Sequence, residues 1–301
     1  MILTPEAFTE YELIDCGHFQ KLERFGKLIL SRPEPQALWP ASLPESEWKK
    51  LLHAEFKRDL KSKDKGGEEK GSWILKKGTP EQWNIRIPLQ ENHFSMRLGM
   101  TSFKHVGIFP EQYSNWTYIF QQVNTLKPLL NGANPKILNL FAYTGGASLA
   151  ARCAGADVTH LDAVKQVINW SRENAELSGL DGFRWMVDDA LKFVQREVRR
   201  GNKYQGIILD PPAYGRGPEG EKWILQEGIA PLMQASSQLL DTKGFLILNL
   251  YSMGFSPTLA DTLVRSYFPK SQFCRENGEL AVSDRFGKVL PLSIFTRFFL
   301  N

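Results

Sequence analysis

The feature that most limits the fold of this chain is an alternation of apolar runs and amphipathic segments that begins near residue 117. Compact runs such as KILNLFA (136–142) and DVTHLDA (157–163) alternate with segments of helical spacing such as VKQVINWSRENAELSGL. Strands that alternate with helices form a parallel sheet with right-handed crossovers and with helices on both faces. The sequence therefore predicts a doubly wound α/β domain over residues 96–301.

The C-terminal segment departs from this alternation. The stretch LAVSDRFGKVLPLSIFTRFF contains two apolar runs on either side of a turn at 284–287. This pattern predicts an antiparallel hairpin at one edge of the sheet. We therefore expect a mostly parallel, seven-stranded sheet that ends in a C-terminal antiparallel hairpin.

Residues 1–95 have a different pattern, in which short apolar runs are interrupted by Pro, Gly and Trp. Ile85, Ile87 and Leu89 alternate with polar residues, as in a strand with one buried face. The sequence therefore predicts a small β-rich N-terminal domain at 1–95. Residues 59–72 mix both charge signs with glycine, and we interpret them as a solvated loop in preference to an RNA-binding segment.

Composition favours a protein of a reducing compartment. The cysteines Cys16, Cys153 and Cys274 are scattered, so they indicate neither a disulfide framework nor a zinc site. No basic N-terminal leader and no run of 18 apolar residues is present. The net charge of +4 and the pI near 8.8 are compatible with a nucleic-acid partner. We expect a cytoplasmic protein without a metal or a membrane span.

Polar residues at the ends of three successive predicted strands suggest a ligand site, because open α/β sheets bind ligands beyond the carboxyl ends of their strands. Gly145 and Gly146 follow the first strand and would let the backbone approach a ligand closely. Asp162 ends the second strand and is placed to accept from ribose hydroxyls. Asp188 and Asp189 end the third and would accept from an adenine amino group. The GxGxxG pattern that cradles a dinucleotide pyrophosphate is absent.

The motifs NLFAYTGG, HLDAV, VDDA and LDPPAY, in this order and spacing, resemble those of class I S-adenosylmethionine-dependent methyltransferases. More narrowly, the chain resembles the group typified by the 23S ribosomal RNA methyltransferases that modify cytosine-5 and guanine-N7. The resemblance extends over residues 95–301 and implies a Rossmann-like methyltransferase fold with S-adenosylmethionine as cofactor. The C-terminal hairpin agrees with it, since such a hairpin is more typical of these methyltransferases than of dehydrogenases.

The resemblance also implies the residues that contact the cofactor. Asp162 would hold the ribose, Asp189 the adenine, and Asp210 would lie beside the transferable methyl group. The predicted cofactor-binding residues are Phe109, Gln112, Asn139, Phe141, Tyr143, Thr144, Gly145, Asp162, Ala163, Asp188, Asp189, Ala190 and Asp210. The group also has a GxFxDQR motif upstream of the first strand. Here GIFPEQY (107–113) keeps its Gly, Phe and Gln but has Glu111 and Tyr113 in place of Asp and Arg.

The stretch DPPAY supplies the predicted catalytic residues Asp210, Pro211, Pro212 and Tyr214. A residue before proline is pushed to extended conformations, and proline offers a carbonyl without an N–H donor. The stretch would therefore present acceptors to an amino or ring N–H group of a flat substrate. Tyr214 would stack on the base, which is worth about 1–3 kcal/mol.

The absence of a cysteine predicts which kind of substrate atom, nitrogen or carbon, receives the methyl group. Methylation of cytosine-5 needs a thiolate that first attacks the ring. In members of the group that modify cytosine-5, this cysteine lies in the loop after the strand that follows DPP. The matching stretch here contains Tyr251, Ser252, Met253 and Gly254. We therefore expect methylation of a base nitrogen, which needs no covalent adduct.

An RNA substrate, in particular ribosomal RNA, is the leading hypothesis. Arg216, Lys222 and Trp223 follow DPPAY, and cations beside an aromatic ring suit single-stranded RNA, although ordinary surface charges around a half-buried tryptophan are the competing interpretation. Two alternatives stay open: a methyltransferase of a protein or of a small-molecule amine, and a non-enzymatic cofactor-binding RNA or assembly factor. Glu111, Tyr113 and the missing cysteine motivate the second of these.

Overall fold

The structure is a computed structural model that describes residues 1–5, 8–59, 70–251, 254–269 and 275–300. Most of the segment interpreted as a solvated loop lies outside these residues, at 60–69. Ser252, Met253 and Cys274 also lie outside them. Within the described residues, no helix has both the length and the apolar character needed to cross a membrane.

The N-terminal elements are β1 (Ile2–Leu3), β2 (Tyr11–Gly17), β3 (Gln20–Phe25), β4 (Leu28–Pro33), α1 (Glu45–Leu51), β5 (Ala54–Arg58), β6 (Gly71–Leu75), β7 (Gln82–Leu89) and β8 (Asn92–Gly99). The later strands are β9 (Lys136–Leu140), β10 (Asp157–Asp162), β11 (Phe183–Val187), β12 (Tyr204–Leu209), β13 (Tyr214–Arg216), β14 (Lys222–Ile224), β15 (Leu240–Leu250), β16 (Glu276–Ser283) and β17 (Val289–Leu300). The later helices are α2 (Tyr113–Leu129), α3 (Gly146–Cys153), α4 (Lys165–Leu177), α5 (Ala190–Arg199), α6 (Leu225–Leu239) and α7 (Pro257–Tyr267), and a 3-10 turn (Pro110–Gln112) precedes α2.

The C-terminal part of the chain forms an eight-stranded sheet together with β1 from the N-terminus. The strand order is β1-β16-β17-β15-β12-β9-β10-β11. Strands β9 to β12 and β15 are parallel to their neighbours in this group, and β17 is antiparallel to both β15 and β16. The predicted α/β fold, a mostly parallel sheet with a C-terminal antiparallel hairpin, is confirmed. The strand that was not predicted is β1, whose two residues pair in parallel with Glu279 and Leu280 of β16.

The central strands are apolar because helices cover both of their faces. Every residue of β12 is buried. Ile208 packs in a core with residues of α2 and α3, whereas Ile207 and Leu209 pack in a second core with residues of α5 and α6. Successive side chains of a strand point to opposite faces, so this one strand contributes to both cores.

The strand register brings the predicted site residues to one edge of the sheet. Leu140 of β9 pairs with Leu161 of β10 on one side and with Leu209 of β12 on the other. The residues that follow each strand therefore emerge at the same level. Because the chain winds in opposite directions on the two sides of β9, this edge is also the point at which open α/β sheets form a ligand crevice.

The N-terminal part is β-rich, as predicted, with a five-stranded sheet β2-β3-β4-β5-β6 and the β7-β8 hairpin. The hairpin packs on α4: the backbone N–H of Ser95 donates to Ser178 Oγ (3.0 Å) and that of Arg97 to Asn174 Oδ1 (2.8 Å). The predicted boundary after residue 95 lies within β8. The division of the chain into two domains stays a prediction.

A buried ionic group in the N-terminal sheet contacts the segment that precedes GIFPEQY (107–113). Glu23 is fully buried and accepts hydrogen bonds from Arg32 Nε (2.8 Å) and from Tyr11 OH (2.9 Å). Burial alone would raise the pKa of Glu23, but the charges of Arg32 and Lys21 hold this pKa below its ordinary value. Arg32 also donates to the carbonyl of Lys104 (3.2 Å). The N-terminal sheet thereby fixes the backbone just before GIFPEQY.

Candidate functional site

A pocket opens at the carboxyl ends of β9 and β12. Eight of the predicted cofactor-binding residues line it: Phe109, Gln112, Asn139, Phe141, Tyr143, Thr144, Gly145 and Asp210. The other predicted residues follow the two neighbouring strands, with Asp162 and Ala163 at the end of β10 and Asp188, Asp189 and Ala190 after β11. The structure thus places all of them along one edge of the sheet and divides them between the pocket and its flank.

The loop between β9 and α3, residues 141–145, has an unusual backbone, and we call it the cofactor loop. Phe141 and Tyr143 have positive φ angles of 58° and 49°, and Gly145 has 97°. Residues other than glycine rarely adopt this region, and when they do they often belong to functional sites. Gly146 lacks a Cβ for a different reason, because a Cβ there would lie 2.5 Å from the indole of Trp116. This glycine is explained by packing on α2.

Asp162 holds the cofactor loop in place. Its carboxylate accepts from the backbone N–H of Tyr143 (3.0 Å) and from that of Val164 (2.9 Å). Burial raises the pKa of Asp162, and these backbone hydrogen bonds oppose the shift. One carboxylate therefore connects the ends of β9 and β10.

The two acids after β11 have structural partners. Asp189 is the N-cap of α5, and its Oδ1 accepts from the backbone N–H of Lys192 (2.8 Å). Asp188 forms an ion pair with Arg196. Beside these acids, Val164 and Val187 leave 47% and 40% of their surface exposed, which is high for valine. A polar edge and an apolar face therefore lie next to each other on this flank.

Asp210 lies at the pocket end of β12. Its Oδ1 accepts from Asn249 Nδ2 of β15 (3.1 Å), as the register Leu209–Leu248 requires. Burial raises the pKa of Asp210 to about 7, the hydrogen bond from Asn249 opposes the shift, and the charge of Glu111 adds to it. A carboxyl group of this kind changes its protonation state near neutrality.

Residues 210–214, which we call the substrate loop, follow directly. Pro211 is buried and Pro212 is exposed, and the carbonyl of Pro212 accepts a hydrogen bond from Trp223 Nε1 (2.7 Å). Of the two prolyl carbonyls that the sequence offered to a substrate, one is therefore already in use. Tyr214 begins β13 and is 38% exposed.

The segment GIFPEQY forms one wall of the pocket. Thr144 Oγ1 donates to the carbonyl of Gly107 (2.6 Å), and the ring of Phe109 lies 5.5 Å from that of Tyr143. Glu111 is buried, and Tyr113 stacks on Phe8 of the N-terminal part at 5.1 Å. The tyrosine that replaces the arginine of the motif is thus used in packing.

Sequence reasoning missed two polar side chains of the site. Asn249 lines the pocket, and Tyr251 accepts from Gln112 Nε2 (2.8 Å) while its ring lies 5.4 Å from Phe109. A signal for Asn249 was available, because LILNL repeats the pattern of KILNL, in which Asn139 interrupts an apolar strand. Tyr251 carried no comparable signal.

Comparison with known proteins agrees with the geometry. The S-adenosylmethionine-dependent methyltransferase family matches residues 67–262. A crystal structure of a SAM-dependent methyltransferase from Agrobacterium tumefaciens is similar over 100% of this chain and 94% of its own, with a TM-score of 0.89 and 36% identity.

Two curated relatives match part of the chain. Ribosomal RNA large subunit methyltransferase K/L of Shewanella frigidimarina is 29% identical over 56% of this chain and 22% of its own length. Ribosomal RNA large subunit methyltransferase I of Klebsiella pneumoniae is 32% identical over 43% of this chain and 33% of its own. The match thus spans a third or less of each curated relative. The family match over residues 67–262 and the similarity over 94% of the Agrobacterium protein show that this chain belongs to the S-adenosylmethionine-dependent methyltransferase family.

Proposed function

We propose that this chain transfers a methyl group from S-adenosylmethionine to a nitrogen atom of a base in ribosomal RNA. The observation that carries the proposal is Asp210, a carboxyl group with a pKa of about 7 at the end of β12, between the cofactor loop and the exposed ring of Tyr214. The curated relatives named above are ribosomal RNA methyltransferases, which supports an RNA substrate. The scattered cysteines and an RNA substrate both agree with a cytoplasmic location.

The residues of the pocket fit this cofactor. Asn249 Oδ1 is buried in the pocket wall and has no hydrogen-bond partner among the described residues, so it is available to a ligand with an N–H donor. We assign the methionine part to Asn139, Phe141, Tyr143, Thr144 and Gly145, with Phe109 and Gln112 on the opposite wall. We assign the ribose to Asp162 and Ala163, and the adenine to Asp188, Asp189 and Ala190, where Val164 and Val187 offer apolar surface.

The chain's own residues would position the acceptor nitrogen and manage its proton. The cofactor supplies a methyl group that is already electrophilic. Asp210 would accept a hydrogen bond from the acceptor N–H and take the proton that leaves when the nitrogen is methylated. A base with a pKa near the working pH is the most effective for such a step. Tyr214 would stack on the base and hold its plane.

Thiol chemistry is not supported by the cysteines in the described residues. Cys16 is buried in β2, and Cys153 lies at the end of α3. Burial raises the pKa of each thiol to about 11, so neither is a thiolate near neutrality. The absence of a cysteine at 251–254 remains an argument from sequence, since Ser252 and Met253 lie outside the described residues.

Mapping of modified nucleosides tests the proposal. Ribosomal RNA from cells that lack this chain should lose one methylated nucleoside, with the methyl group on nitrogen, as measured by mass spectrometry. Wild-type protein should restore it and the Asp210→Asn variant should not. Unchanged ribosomal RNA, together with methylation of a protein or an amine by the purified chain, would replace the RNA substrate. A lost methyl group on carbon would contradict the nitrogen assignment.

The two roles of Asp189, helix cap and adenine contact, can be separated by substitution. Asp189→Ser keeps a good N-cap and should change the free energy of unfolding little, whereas Asp189→Ala should lower it by about 1 kcal/mol. Both variants remove the carboxylate and should weaken cofactor binding about tenfold, the effect of one charge-assisted hydrogen bond. Chemical unfolding and calorimetric titration measure the two effects. Full cofactor affinity in Asp189→Ser would leave Asp189 with the capping role alone.

A further inference from the structure

We propose that Trp223 is a positioning residue that joins the substrate loop to the cofactor loop and determines which prolyl carbonyl of DPP is left for the substrate. This inference rests on the proposed function, since it concerns how the same site presents its acceptors. Trp223 lies outside the motifs that carry the family resemblance, eleven residues after Pro212.

Trp223 contacts both loops. Its Nε1 donates to the carbonyl of Pro212 at 2.7 Å, and its ring lies 4.8 Å from that of Phe141, centroid to centroid. It is only 6% exposed, although it belongs to a short two-stranded hairpin in which it pairs with Gly215. Phe141 is one of the two aromatic residues of the cofactor loop with positive φ. A single side chain therefore spans the distance between the two loops.

The surrounding backbone leaves room for this indole. Gly228 of α6 has no Cβ, and one placed there would lie 2.5 Å from the Trp223 ring. Gly215 pairs with Trp223 across the hairpin, and a Cβ there would make only ordinary van der Waals contact with Trp223 Cβ, at 3.8 Å. Because an interior at close-packed density holds a ring of this size in one orientation, the indole N–H keeps its direction toward Pro212.

The second anchor of the hairpin is weaker. Lys192, in the first turn of α5, forms ion pairs with Glu219 and Glu221 at the hairpin turn. Lys192 and Glu219 are at least half exposed, and ion pairs of this kind contribute little. The buried contacts of Trp223 therefore dominate the position of the hairpin, and with it that of Tyr214, which pairs with Ile224.

The hydrogen bond to Pro212 also limits what the substrate can use. Neither Pro211 nor Pro212 has an N–H, so the pair offers acceptors only. Trp223 occupies the carbonyl of Pro212, whereas the carbonyl of Pro211 has no donor among the residues that the structure describes. The acceptor set left for an incoming N–H group is then the Pro211 carbonyl with the Asp210 carboxylate, in one fixed arrangement.

The test is Trp223→Phe, which keeps an aromatic ring against Phe141 and removes only the N–H donor. The matched control is Trp39→Phe, because Trp39 Nε1 donates to the carbonyl of Cys16 (3.1 Å) in the N-terminal sheet, away from the pocket. For Trp223→Phe we expect kcat/KM for RNA methylation to fall about tenfold, as for loss of one hydrogen bond to a positioned group. The Kd for S-adenosylmethionine should change less than twofold, and Trp39→Phe should leave both quantities unchanged.

Limited proteolysis tests the inference without measuring methyl transfer. Trypsin cleaves after Arg216 and Lys222, which both lie on the same hairpin. Cleavage there should be about tenfold faster in Trp223→Phe than in wild type, since cleavage follows the population of the open hairpin. Wild-type kcat/KM and an unchanged cleavage rate would overturn the inference. The inference would also be overturned if Trp223→Phe had a lower melting temperature but its folded fraction kept the wild-type kcat/KM. If wild-type protein itself methylates no RNA, the proposed function fails, and the trypsin result still decides whether Trp223 holds the hairpin.

Discussion

Asp210→Asn should lower the rate of methyl transfer about 10²–10⁴-fold, the usual contribution of a positioned acid or base. The substitution keeps the size of the side chain and an oxygen that can accept from Asn249, so the pocket should stay intact. It removes the group that takes the proton from the acceptor nitrogen. In the wild type, kcat/KM should rise as the pH increases through about 7, where Asp210 becomes ionised. Single-turnover rates between pH 5.5 and 8.5 measure both effects.

The same substitution should stabilise the fold at alkaline pH. Burial raises the pKa of Asp210 from 3.8 to about 7, so the folded chain binds this proton more tightly than the unfolded chain does. The contribution of the group to stability is therefore greatest at low pH and is lost as the pH rises through about 7. Above that pH the wild type carries a charge in the pocket wall that asparagine does not, and Asp210→Asn should be more stable by up to about 4 kcal/mol at pH 8.

Unfolding in denaturant at pH 5 and pH 8 tests this gain. Asp181→Asn is the control, because the side chain of Asp181 is 98% exposed and its replacement should change stability at neither pH. Equal stability of Asp210→Asn and wild type at pH 8 would show that Asp210 is not held in a buried, weakly acidic state. A flat pH profile of kcat/KM would show that it does not act as the base.

Asp162→Ala should weaken cofactor binding about 100-fold or more. The variant loses the acceptor for the N–H groups of Tyr143 and Val164, so the cofactor loop loses its connection to β10. It also loses the carboxylate that we assign to the ribose hydroxyls. Two hydrogen bonds to a charged group correspond to a loss in affinity of about 100-fold or more. Calorimetric titration with S-adenosylmethionine measures this loss.

A control for this variant lies on the same strand. Asp157→Ala changes the first residue of β10, at the far end from the pocket, where the side chain is 55% exposed. It should bind the cofactor as the wild type does. Asp162→Asn keeps an oxygen for one of the two backbone donors and should lie between the wild type and Asp162→Ala. If Asp162→Ala bound with wild-type affinity, the ribose would have to be held elsewhere.

The parts of the site that follow a strand were predictable from the sequence. Asp162, Asp189 and Asp210 each end an apolar run, and a chain that alternates strands with helices must bring such residues to one edge of a sheet. The succession of strands and helices along the sequence was sufficient to predict the position of these residues. It also predicted the antiparallel hairpin formed by β16 and β17.

Contacts between distant segments were not predictable in this way. Asn249 faces Asp210 only because β12 and β15 are neighbours in one particular register, and Trp223 reaches Phe141 from a hairpin more than eighty residues later in the chain. Arg32 and Glu23 look like surface charges in the sequence, yet they form a buried pair, since the register of β3 and β4 places them at diagonal positions on one face. In each case the pairing of strands determines which residues come into contact, and the residue types alone do not predict that pairing.

The pairing of β1 with β16 has a consequence for how the chain acquires its structure. Met1 contacts Asn277 across 276 residues, and Asp284 in the β16–β17 turn forms a bridge with Leu13 of β2. Contacts over such separations form late, because a long loop must close before they can stabilise anything. On the ribosome, the partner of β1 does not exist until almost the whole described chain has been synthesised. The edge of the large sheet and the seam to the N-terminal strands should therefore be the last parts to assemble, and chains that end before β16 should need a chaperone to keep those strands from pairing with other molecules.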